Sequence, residues 1–136
     1  MAECVLCVII ARERPGFIIK ETEQIAVLLS LEGHPLVVPK KHIEDVFEID
    51  DQCAAAVMRE AVSVSIALKS VCKCDGINLV QSNGPAAGQD VFHFHLHVKP
   101  RWLGDNVVLT WDTSPMEEGK KLELAEDLHS YFGVGR

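Results

Sequence analysis

The chain has 136 residues, of which 48% are hydrophobic and 24% are charged, with 13 Lys and Arg against 20 Asp and Glu. This composition is typical of a globular protein with one core, and the formal net charge of −7 disfavours a general nucleic-acid-binding protein, which would be basic. The five cysteines are odd in number and unevenly spaced, so they favour a reducing cytoplasm over a disulfide framework.

The sequence predicts neither export nor membrane insertion. The first apolar run, Val5 to Ala11, is short and follows Glu3 rather than a basic region, so it does not resemble a signal peptide. No stretch approaches the roughly 18 apolar residues that a membrane span needs. We therefore expect one cytoplasmic domain over residues 1–136.

The first part of the chain predicts a short helix and three strands. Residues Val5 to Ala11 are compatible with the helix. The stretch GFIIKETEQIAVLLS predicts a hairpin with strands near Phe17–Lys20 and Gln24–Ser30. A short buried strand follows at Leu36–Val38, and Pro39 ends it.

The strongest helical pattern extends from Asp51 to Cys74. Asp50 or Asp51 is expected to cap its N-terminus, and Gly76 follows as a stop. The apolar residues predict a wide face that packs on a sheet; they include Ala54, Val57, Met58, Ala61, Ile66 and Leu68.

The second part of the chain predicts an antiparallel pair of strands and a terminal helix. INLVQS is the first strand, the loop Asn83–Gly88 follows, and HFHLHV is the second strand. Ser114 is expected to cap the last helix, with Pro115 at its first position. Strands and helices segregated in this way indicate an α+β fold with a meandering antiparallel sheet of about five strands.

Three of the six histidines, His93, His95 and His97, lie at alternate positions. Alternation with period two predicts a strand on which Phe94 and its alternate apolar neighbours face the core and the three imidazoles share the other face. Histidine is not a favoured filler of exposed strands, so this clustering points to chemistry rather than to packing.

The motif H-φ-H-φ-H-φ, where φ is hydrophobic, resembles the signature of the histidine triad (HIT) superfamily of nucleotide hydrolases and transferases. GHPLVVPKKH resembles the upstream G-H-x-L-V-x-P-K-x-H segment of that family, and the C-x-x-C opening and the loop NGPAAGQ resemble further family segments. Together these motifs cover most of residues 4–101. The resemblance implies a HIT-like fold and a homodimer, with a variable C-terminal segment at 104–136.

The resemblance implies that His95 is the nucleophile, and that His97 and His34 orient imidazoles and bind phosphate. A neutral imidazole is a fair nucleophile near pH 7, because its ordinary pKa leaves it mostly deprotonated. Attack on the α-phosphorus of a nucleotide would give a nucleotidyl-imidazole, which water or another acceptor would split.

The loop before the triad is expected to meet the phosphate. Gly84 and Gly88 let backbone N–H groups approach developing negative charge, and Gln89 offers a neutral amide. The family resemblance makes Gln89 a phosphate or leaving-group contact and Asn83 a site residue.

Two features depart from the family pattern. Asp90 stands where Ser or Thr is common. Either its backbone N–H alone contacts substrate, or its carboxylate points away, or it selects a cationic or amine-bearing leaving group. The link between Ser30 and His34 is also short, so the ribose-binding residue stays unassigned.

Cys4 and Cys7 form a C-x-x-C pair with metal-ligand or redox spacing. Resemblance to the zinc-containing HIT proteins implies that His42 and His93 complete a Cys₂His₂ site. Four protein ligands close a zinc site, so this zinc would be structural rather than catalytic. The alternative is two free thiols and a hydrogen-bonded His93.

Several functional alternatives stay open. The leading one is hydrolysis of a nucleoside 5′-phosphate derivative, either an AMP phosphoramidate or a diadenosine polyphosphate. A second class would use all three triad histidines to hold a catalytic zinc that activates water. A third is a non-catalytic module that binds nucleotides or proteins on the HIT scaffold.

Overall fold

A five-stranded antiparallel sheet organises the first of two compact units into which the chain divides, Met1–Asp105 and Asn106–Arg136. The computed structural model describes residues 3–133. The elements of the first unit are α1 (Val5–Ile10), β1 (Ile18–Glu21), β2 (Ile25–Leu29), β3 (Pro35–Pro39), α2 (Asp51–Cys72), β4 (Gly76–Val80) and β5 (Leu96–Arg101). The second unit contains α3 (Glu118–Phe132). The predicted α+β class is confirmed.

The strand order in the sheet is β1-β2-β3-β5-β4, and every neighbouring pair is antiparallel. β1, β2 and β3 follow one another directly, because each connection is a short turn. The long helix α2 then carries the chain from β3 to β4, which lies at the far edge. β5 returns between them and therefore occupies a central position with a partner on each side.

Both faces of the sheet are covered by buried side chains. Successive residues of a strand point to opposite faces, and β2 shows this directly: Ile25 and Val27 belong to the core on the α2 side, whereas Ala26 and Leu28 belong to a second core. Leu6 of α1 joins that second core.

The boundaries of α2 agree with the prediction at the start and differ at the end. The side chain of Asp50 accepts a hydrogen bond from the backbone N–H of Cys53 at 2.8 Å, which caps the helix. The expected stop at Gly76 is wrong. Lys73 ends the helix in the left-handed conformation, with φ 54°, and Gly76 already begins β4.

The predicted apolar face of α2 is only partly the packed face. Val57 and Ala61 are buried against the sheet, as expected. Met58 and Ile66 are instead 51% and 67% exposed. Within this first unit the apolar residues of α2 therefore occupy two sides of the helix, because the sheet reaches only one of them.

The strand that carries the histidine motif is shorter than the alternation predicts. Regular pairing covers only Leu96–Arg101, so His93 and His95 precede the strand. Phe94 donates its backbone N–H to the carbonyl of Ile43 at 2.7 Å, outside the sheet ladder. The alternation of side chains nevertheless continues, because Phe94 joins Leu96 in the core on the α2 side.

The C-terminal helix begins later than the sequence predicts. Ser114 and Pro115 lie outside α3, which starts at Glu118 with Glu117 as the preceding cap residue. The backbone N–H of Ser114 donates to Asp112 at 2.9 Å, a local turn that competes with helix initiation. The expectation of a single domain over residues 1–136 remains a prediction.

None of the helices within residues 3–133 combines the length and apolar character that a bilayer crossing demands.

Candidate active site and metal cluster

The triad lies on the α1 side of the sheet, at the end where β2 turns into β3. His34 immediately precedes β3, two residues before Leu36, and Leu36 lies directly opposite His97 in the β3–β5 register. The same pleat thus brings both imidazoles to one face. His34 Nε2 and His97 Nδ1 are 2.8 Å apart, so one of these nitrogens donates a hydrogen bond to the other.

The orientation of His95 is fixed by a backbone carbonyl. Its Nδ1 lies 2.7 Å from the carbonyl oxygen of His93. A carbonyl can only accept, so Nδ1 carries the proton and Nε2 is left with its lone pair. The ring centroids of His95 and His97 are 5.1 Å apart. The arrangement therefore presents a nucleophilic nitrogen beside a second imidazole.

The two supporting imidazoles are neutral near pH 7. Burial is the largest cause that lowers the pKa of both His34 and His97 below the ordinary value. The charge of Lys99 lowers the pKa of His34 further, and neighbouring histidines do the same for His97. A neutral pair can share one proton between Nε2 and Nδ1, which a doubly protonated pair cannot.

The amide of Gln89 is buried and braces the loop that enters the triad. Its Oε1 accepts from the backbone N–H of Gly84 at 2.7 Å. Its Nε2 donates to the carbonyls of Glu44 at 2.8 Å and Val91 at 3.2 Å. The side chain therefore fixes the loop from within, and its predicted contact with phosphate remains a prediction.

Asn83 also holds the loop. Its Oδ1 accepts from the backbone N–H of Val46 at 2.7 Å, and its Nδ2 donates to Gln81 at 2.6 Å. Gly84 and Gly88 have φ of 86° and 87°, a region that glycine adopts at little cost. These bonds and turns preform the loop, while its predicted substrate contacts at Asn83 and Gly88 remain predictions.

Asp90 is exposed, and its carboxylate acts on the triad electrostatically. Asp90 and Glu32 both raise the pKa of His97, although burial outweighs them. The three alternatives for Asp90, a contact through its backbone N–H alone, a carboxylate that points away, and selection of a cationic or amine-bearing leaving group, all stay open.

The four predicted metal ligands, Cys4, Cys7, His42 and His93, lie together, with one ligand atom of each within 4.8 Å of every other. Cys7 Sγ is 3.3 Å from His42 Nδ1 and 3.5 Å from His93 Nδ1, and the two Nδ1 atoms are 3.2 Å apart. Tetrahedral zinc has Zn–S bonds of about 2.3 Å and Zn–N bonds of about 2.0–2.1 Å. Such a tetrahedron requires S···N distances of about 3.5 Å and N···N distances of about 3.3 Å. The observed separations, which include 3.4 Å between Cys4 Sγ and His93 Nδ1, are compatible with that ion.

The chemistry of the donor set also favours a cation. His93 Nε2 lies 2.8 Å from the carbonyl of Pro39, so Nε2 carries the proton and the Nδ1 lone pair faces the thiols. Burial and the neighbouring thiol of Cys4 raise the pKa of Cys7 to about 11. Without a cation the Cys7 thiol is therefore protonated, whereas a bound divalent metal would deprotonate it.

Local structure explains why the cysteines converge. Cys4 caps α1, and its Sγ accepts from the backbone N–H of Cys7 at 3.4 Å. His42 follows β3 and His93 precedes β5, so the cluster joins the N-terminal helix to the sheet. A metal here would fasten elements that are far apart in sequence.

Sequence reasoning missed one residue of the site, Ser30. Its Oγ lies 3.2 Å from His34 Nδ1 and accepts from the backbone N–H of His34, also at 3.2 Å. The available signal was the spacing of four residues across a tight turn, since a serine at such a turn often bonds to the backbone that follows it.

Comparison with known proteins decides the family. A sequence model of the HIT domain matches residues 11–102. The chain belongs to the HIT family.

Relatives of this HIT protein share most of its length. It is 36% identical to "Protein hit" of Bacillus subtilis over 115 residues, 81% of this chain and 79% of the relative. It is 34% identical over 132 residues to adenosine 5′-monophosphoramidase HNT1 of Saccharomyces cerevisiae, which covers 93% of this chain and 81% of the relative. The family therefore includes hydrolases of nucleotide derivatives.

Solved structures agree with the fold. SMU.412c from Streptococcus mutans superposes with a TM-score of 0.89 at 30% identity and covers 97% of this chain and 87% of its own. A Zn-bound histidine triad family protein from Mycobacterium smegmatis superposes with a TM-score of 0.74 at 33% identity, and the match covers 94% of this chain and 96% of that protein. The predicted HIT-like fold is confirmed.

Proposed function

We propose that this HIT protein hydrolyses nucleoside 5′-phosphate derivatives through a nucleotidyl-His95 intermediate and releases a nucleoside monophosphate. The observation that carries this proposal is the hydrogen bond from His95 Nδ1 to the carbonyl of His93 at 2.7 Å. It leaves the Nε2 lone pair of His95 free, next to the neutral pair of His97 and His34.

The proposed reaction has two displacements. The lone pair of His95 Nε2 attacks the α-phosphorus, a P–N bond forms, and the bond to the leaving group breaks. The leaving group keeps the electron pair and takes a proton from solvent. The resulting imidazolium keeps its Nδ1–H on the carbonyl of His93, which stabilises the positive charge. Water then attacks phosphorus and His95 leaves as neutral imidazole. In the net reaction water supplies an oxygen to the monophosphate and a proton to the leaving group.

The loop at Asn83–Gly88 is proposed to bind the substrate together with Gln89, Asp90 and His97. The left-handed turns at Gly84 and Gly88 leave room for phosphate near the backbone. The internal bonds of Gln89 support a preformed loop, and preformed donors stabilise transition-state charge without reorganisation.

An AMP phosphoramidate is the proposed substrate class, because a relative over 93% of the chain is an adenosine 5′-monophosphoramidase. Diadenosine polyphosphate is the second candidate. Chromatographic detection of AMP from both substrates, with a His95→Ala protein as the blank, separates them. The proposal predicts faster release from the phosphoramidate and silence in the blank. Equal AMP in the blank and the wild type contradicts it.

We also propose zinc at Cys4, Cys7, His42 and His93, in a structural role. The interatomic distances and the Zn-bound relative support this assignment. A closed four-ligand zinc contributes folding energy and leaves the proton and phosphoryl chemistry to the triad. Metal analysis of gently purified protein is expected to find about one equivalent. Zinc far below that, without exposure to chelator, contradicts the assignment.

Two alternative functions have distinct signatures. A catalytic zinc held by all three triad histidines would make turnover sensitive to chelator, yet His93 Nδ1 faces the cysteines rather than His95. A non-catalytic module would bind AMP without releasing product. The non-catalytic alternative is supported if isothermal titration calorimetry detects AMP binding while neither the AMP phosphoramidate nor the diadenosine polyphosphate is hydrolysed.

A cytoplasmic homodimer is proposed as the working state, without nucleic-acid polymers or membranes as partners. The exposed apolar residues of α2, Met58 and Ile66, support a second packed surface. β4 is an edge strand of the first unit and carries Leu79, 42% exposed. Light scattering is expected to give a molar mass of about twice the 15.0 kDa chain mass. The Ile66→Glu substitution is expected to lower this measured mass. A wild-type monomer contradicts the proposal.

A further inference from the structure

Ser30 closes the turn between β2 and β3 directly beneath the triad. Its backbone N–H donates to the carbonyl of His34 at 2.8 Å, and the backbone N–H of Gly33 donates to the carbonyl of Ser30 at 3.0 Å. Gly33 has φ 92°, so the turn depends on a residue that tolerates the left-handed region. This short turn holds the Ser30 hydroxyl at a fixed position against His34.

We propose that Ser30 is a positioning residue that sets the tautomers of His34 and His97, so that His97 presents an N–H to the substrate phosphate. This inference rests on the proposed function, which supplies the phosphate group of the substrate. It adds Ser30 to the site and assigns a donor and an acceptor to each hydrogen bond.

The direction follows from the inventory of donors. The backbone N–H of His34 can only donate, and Ser30 Oγ accepts from it at 3.2 Å. The hydroxyl proton of Ser30 is then free to reach His34 Nδ1 at 3.2 Å. With Nδ1 as acceptor, neutral His34 carries its proton on Nε2 and donates to His97 Nδ1 at 2.8 Å. His97 must then carry its own proton on Nε2.

The opposite direction is chemically possible but does not suit an anionic substrate. If His34 Nδ1 donated to Ser30, then His34 Nε2 would accept from His97 Nδ1, and His97 Nε2 would hold a lone pair. His95 already presents a lone pair on its own Nε2. Two lone pairs facing a phosphoryl group would repel its oxygens, whereas one lone pair and one N–H provide a nucleophile and a donor.

The proposed donor needs no net proton transfer. His97 stays neutral throughout the reaction, and its Nε2–H strengthens its hydrogen bond as charge develops on the phosphoryl oxygens. The burial of His34 and the partial burial of His97 support this role, because both favour the neutral form of the ring. A donor that acts mainly on the transition state affects kcat more than KM.

The test combines imidazole ¹⁵N NMR of the full chain with turnover. The spectra distinguish Nδ1–H from Nε2–H in each ring, and single-histidine substitutions assign the signals. We expect Nε2–H for both His34 and His97 in the wild type. Ser30→Ala is expected to populate the other tautomer, whereas Ser30→Thr, which keeps the hydroxyl, is expected to retain the wild-type pattern.

Turnover gives the second readout. Ser30→Ala is expected to lower kcat about tenfold with little change in KM, because partial loss of one transition-state donor costs less than the roughly 10²–10³-fold seen when such a donor is removed. Ser30→Thr is expected to restore it. Ser65→Ala is the matched control. It also removes a hydroxyl hydrogen bond, from Ser65 Oγ to the carbonyl of Ala61 at 2.7 Å, but this bond lies on α2.

Three results overturn the inference: Nδ1–H on His34 or His97 in the wild type, unchanged tautomers in Ser30→Ala, or changed tautomers with unchanged kcat. Failure of the proposed function has a different signature, because the wild type would then release no AMP. The spectra still report the tautomers in that case. Nε2–H on both rings of the wild type, together with a changed tautomer in Ser30→Ala, upholds the hydrogen-bond part of the inference. Any other pattern rejects that part.

Discussion

His93 and His95 are two residues apart and carry the same side chain, yet their rings are fixed in opposite tautomers. His93 donates from Nε2 to the carbonyl of Pro39 and turns its Nδ1 lone pair to the thiols. His95 donates from Nδ1 to the carbonyl of His93 and keeps its Nε2 lone pair. In each case one backbone carbonyl selects the nitrogen that remains available.

The difference is the basis on which we assign the two residues of one short motif to two proposed sites. The lone pair of His93 is buried beside soft sulfur ligands, where it suits a metal. The lone pair of His95 lies beside the imidazole of His97, where it suits attack on phosphorus. Substitutions at the metal cluster are therefore expected to change stability first, and substitutions at the triad are expected to change turnover first.

The largest expected effect is on turnover, from His95→Ala. AMP release should fall on the order of 10⁴-fold or more, since removing a covalent nucleophile leaves only binding and electrostatic stabilisation. The measurement is a steady-state AMP assay at saturating substrate. His129→Ala is the matched control, because His129 lies on α3 and outside the triad. Near-normal activity of His95→Ala would eliminate this residue as nucleophile.

The next effect is on stability, from Cys7→Ser. Loss of one soft ligand from the cluster should lower the free energy of unfolding by about 3 kcal/mol or more, because structural zinc contributes folding energy directly. Denaturant unfolding and zinc content are measured together. Cys72→Ser, at the end of α2 and outside the cluster, should change both very little. Equal stability of the two variants would show that no metal fastens α1 to the sheet.

Gln89→Ala should have a smaller effect on stability, about 2 kcal/mol, because it removes a buried amide and leaves its three backbone partners without it. Gln89→Glu should also destabilise, since it replaces the Nε2 donor by an oxygen that faces the carbonyls of Glu44 and Val91. Chemical denaturation measures both, with the exposed Gln52→Ala as control. Unaltered stability with a raised KM would assign Gln89 to substrate binding alone.

The smallest effect is a pH dependence of stability. The pKa of His34 and of His97 is lower in the folded chain than in the unfolded chain. The unfolded state therefore binds more protons below the ordinary histidine value of about 6.5, and the free energy of unfolding falls as pH drops below it.

The comparison that isolates His34 is thermal unfolding of the wild type and of His34→Gln at pH 7.5 and pH 5.5, values set about one unit either side of the ordinary pKa. The wild type should lose more stability on acidification, because the variant has one fewer buried base. Lys99 and Glu32, whose charges act on His34 in opposite directions, are present in both proteins. Parallel losses would contradict the lowered pKa of His34.

Period-two and helical patterns predicted the architecture of the first unit because β2, β3, β5 and α2 each bury side chains in its cores. β2 and β3 were placed within two residues by their apolar runs. The errors lie where backbone conformation rather than side-chain pattern decides. Lys73 adopts a left-handed cap that favours glycine, and a turn at Asp112 delays α3. Neither has a periodic signal.

The candidate site was predictable where a motif or a family resemblance carries the chemistry. The C-x-x-C spacing indicated Cys4 and Cys7, the family resemblance supplied His42 and His93, and the structure brings the four residues together. The bonds that fix the tautomers of His93 and His95 were not predictable, because they are made to carbonyls that every residue possesses. Ser30 was missed for a related reason, since its role depends on the geometry of one tight turn.

The covalent intermediate is tested most directly by the stereochemical course at phosphorus, with a substrate made chiral at the α-phosphorus by sulfur substitution and hydrolysed in isotopically labelled water. Two successive in-line displacements, first by His95 and then by water, predict overall retention of configuration. Direct attack by water on the substrate would give inversion, and inversion would contradict a nucleotidyl-His95 intermediate.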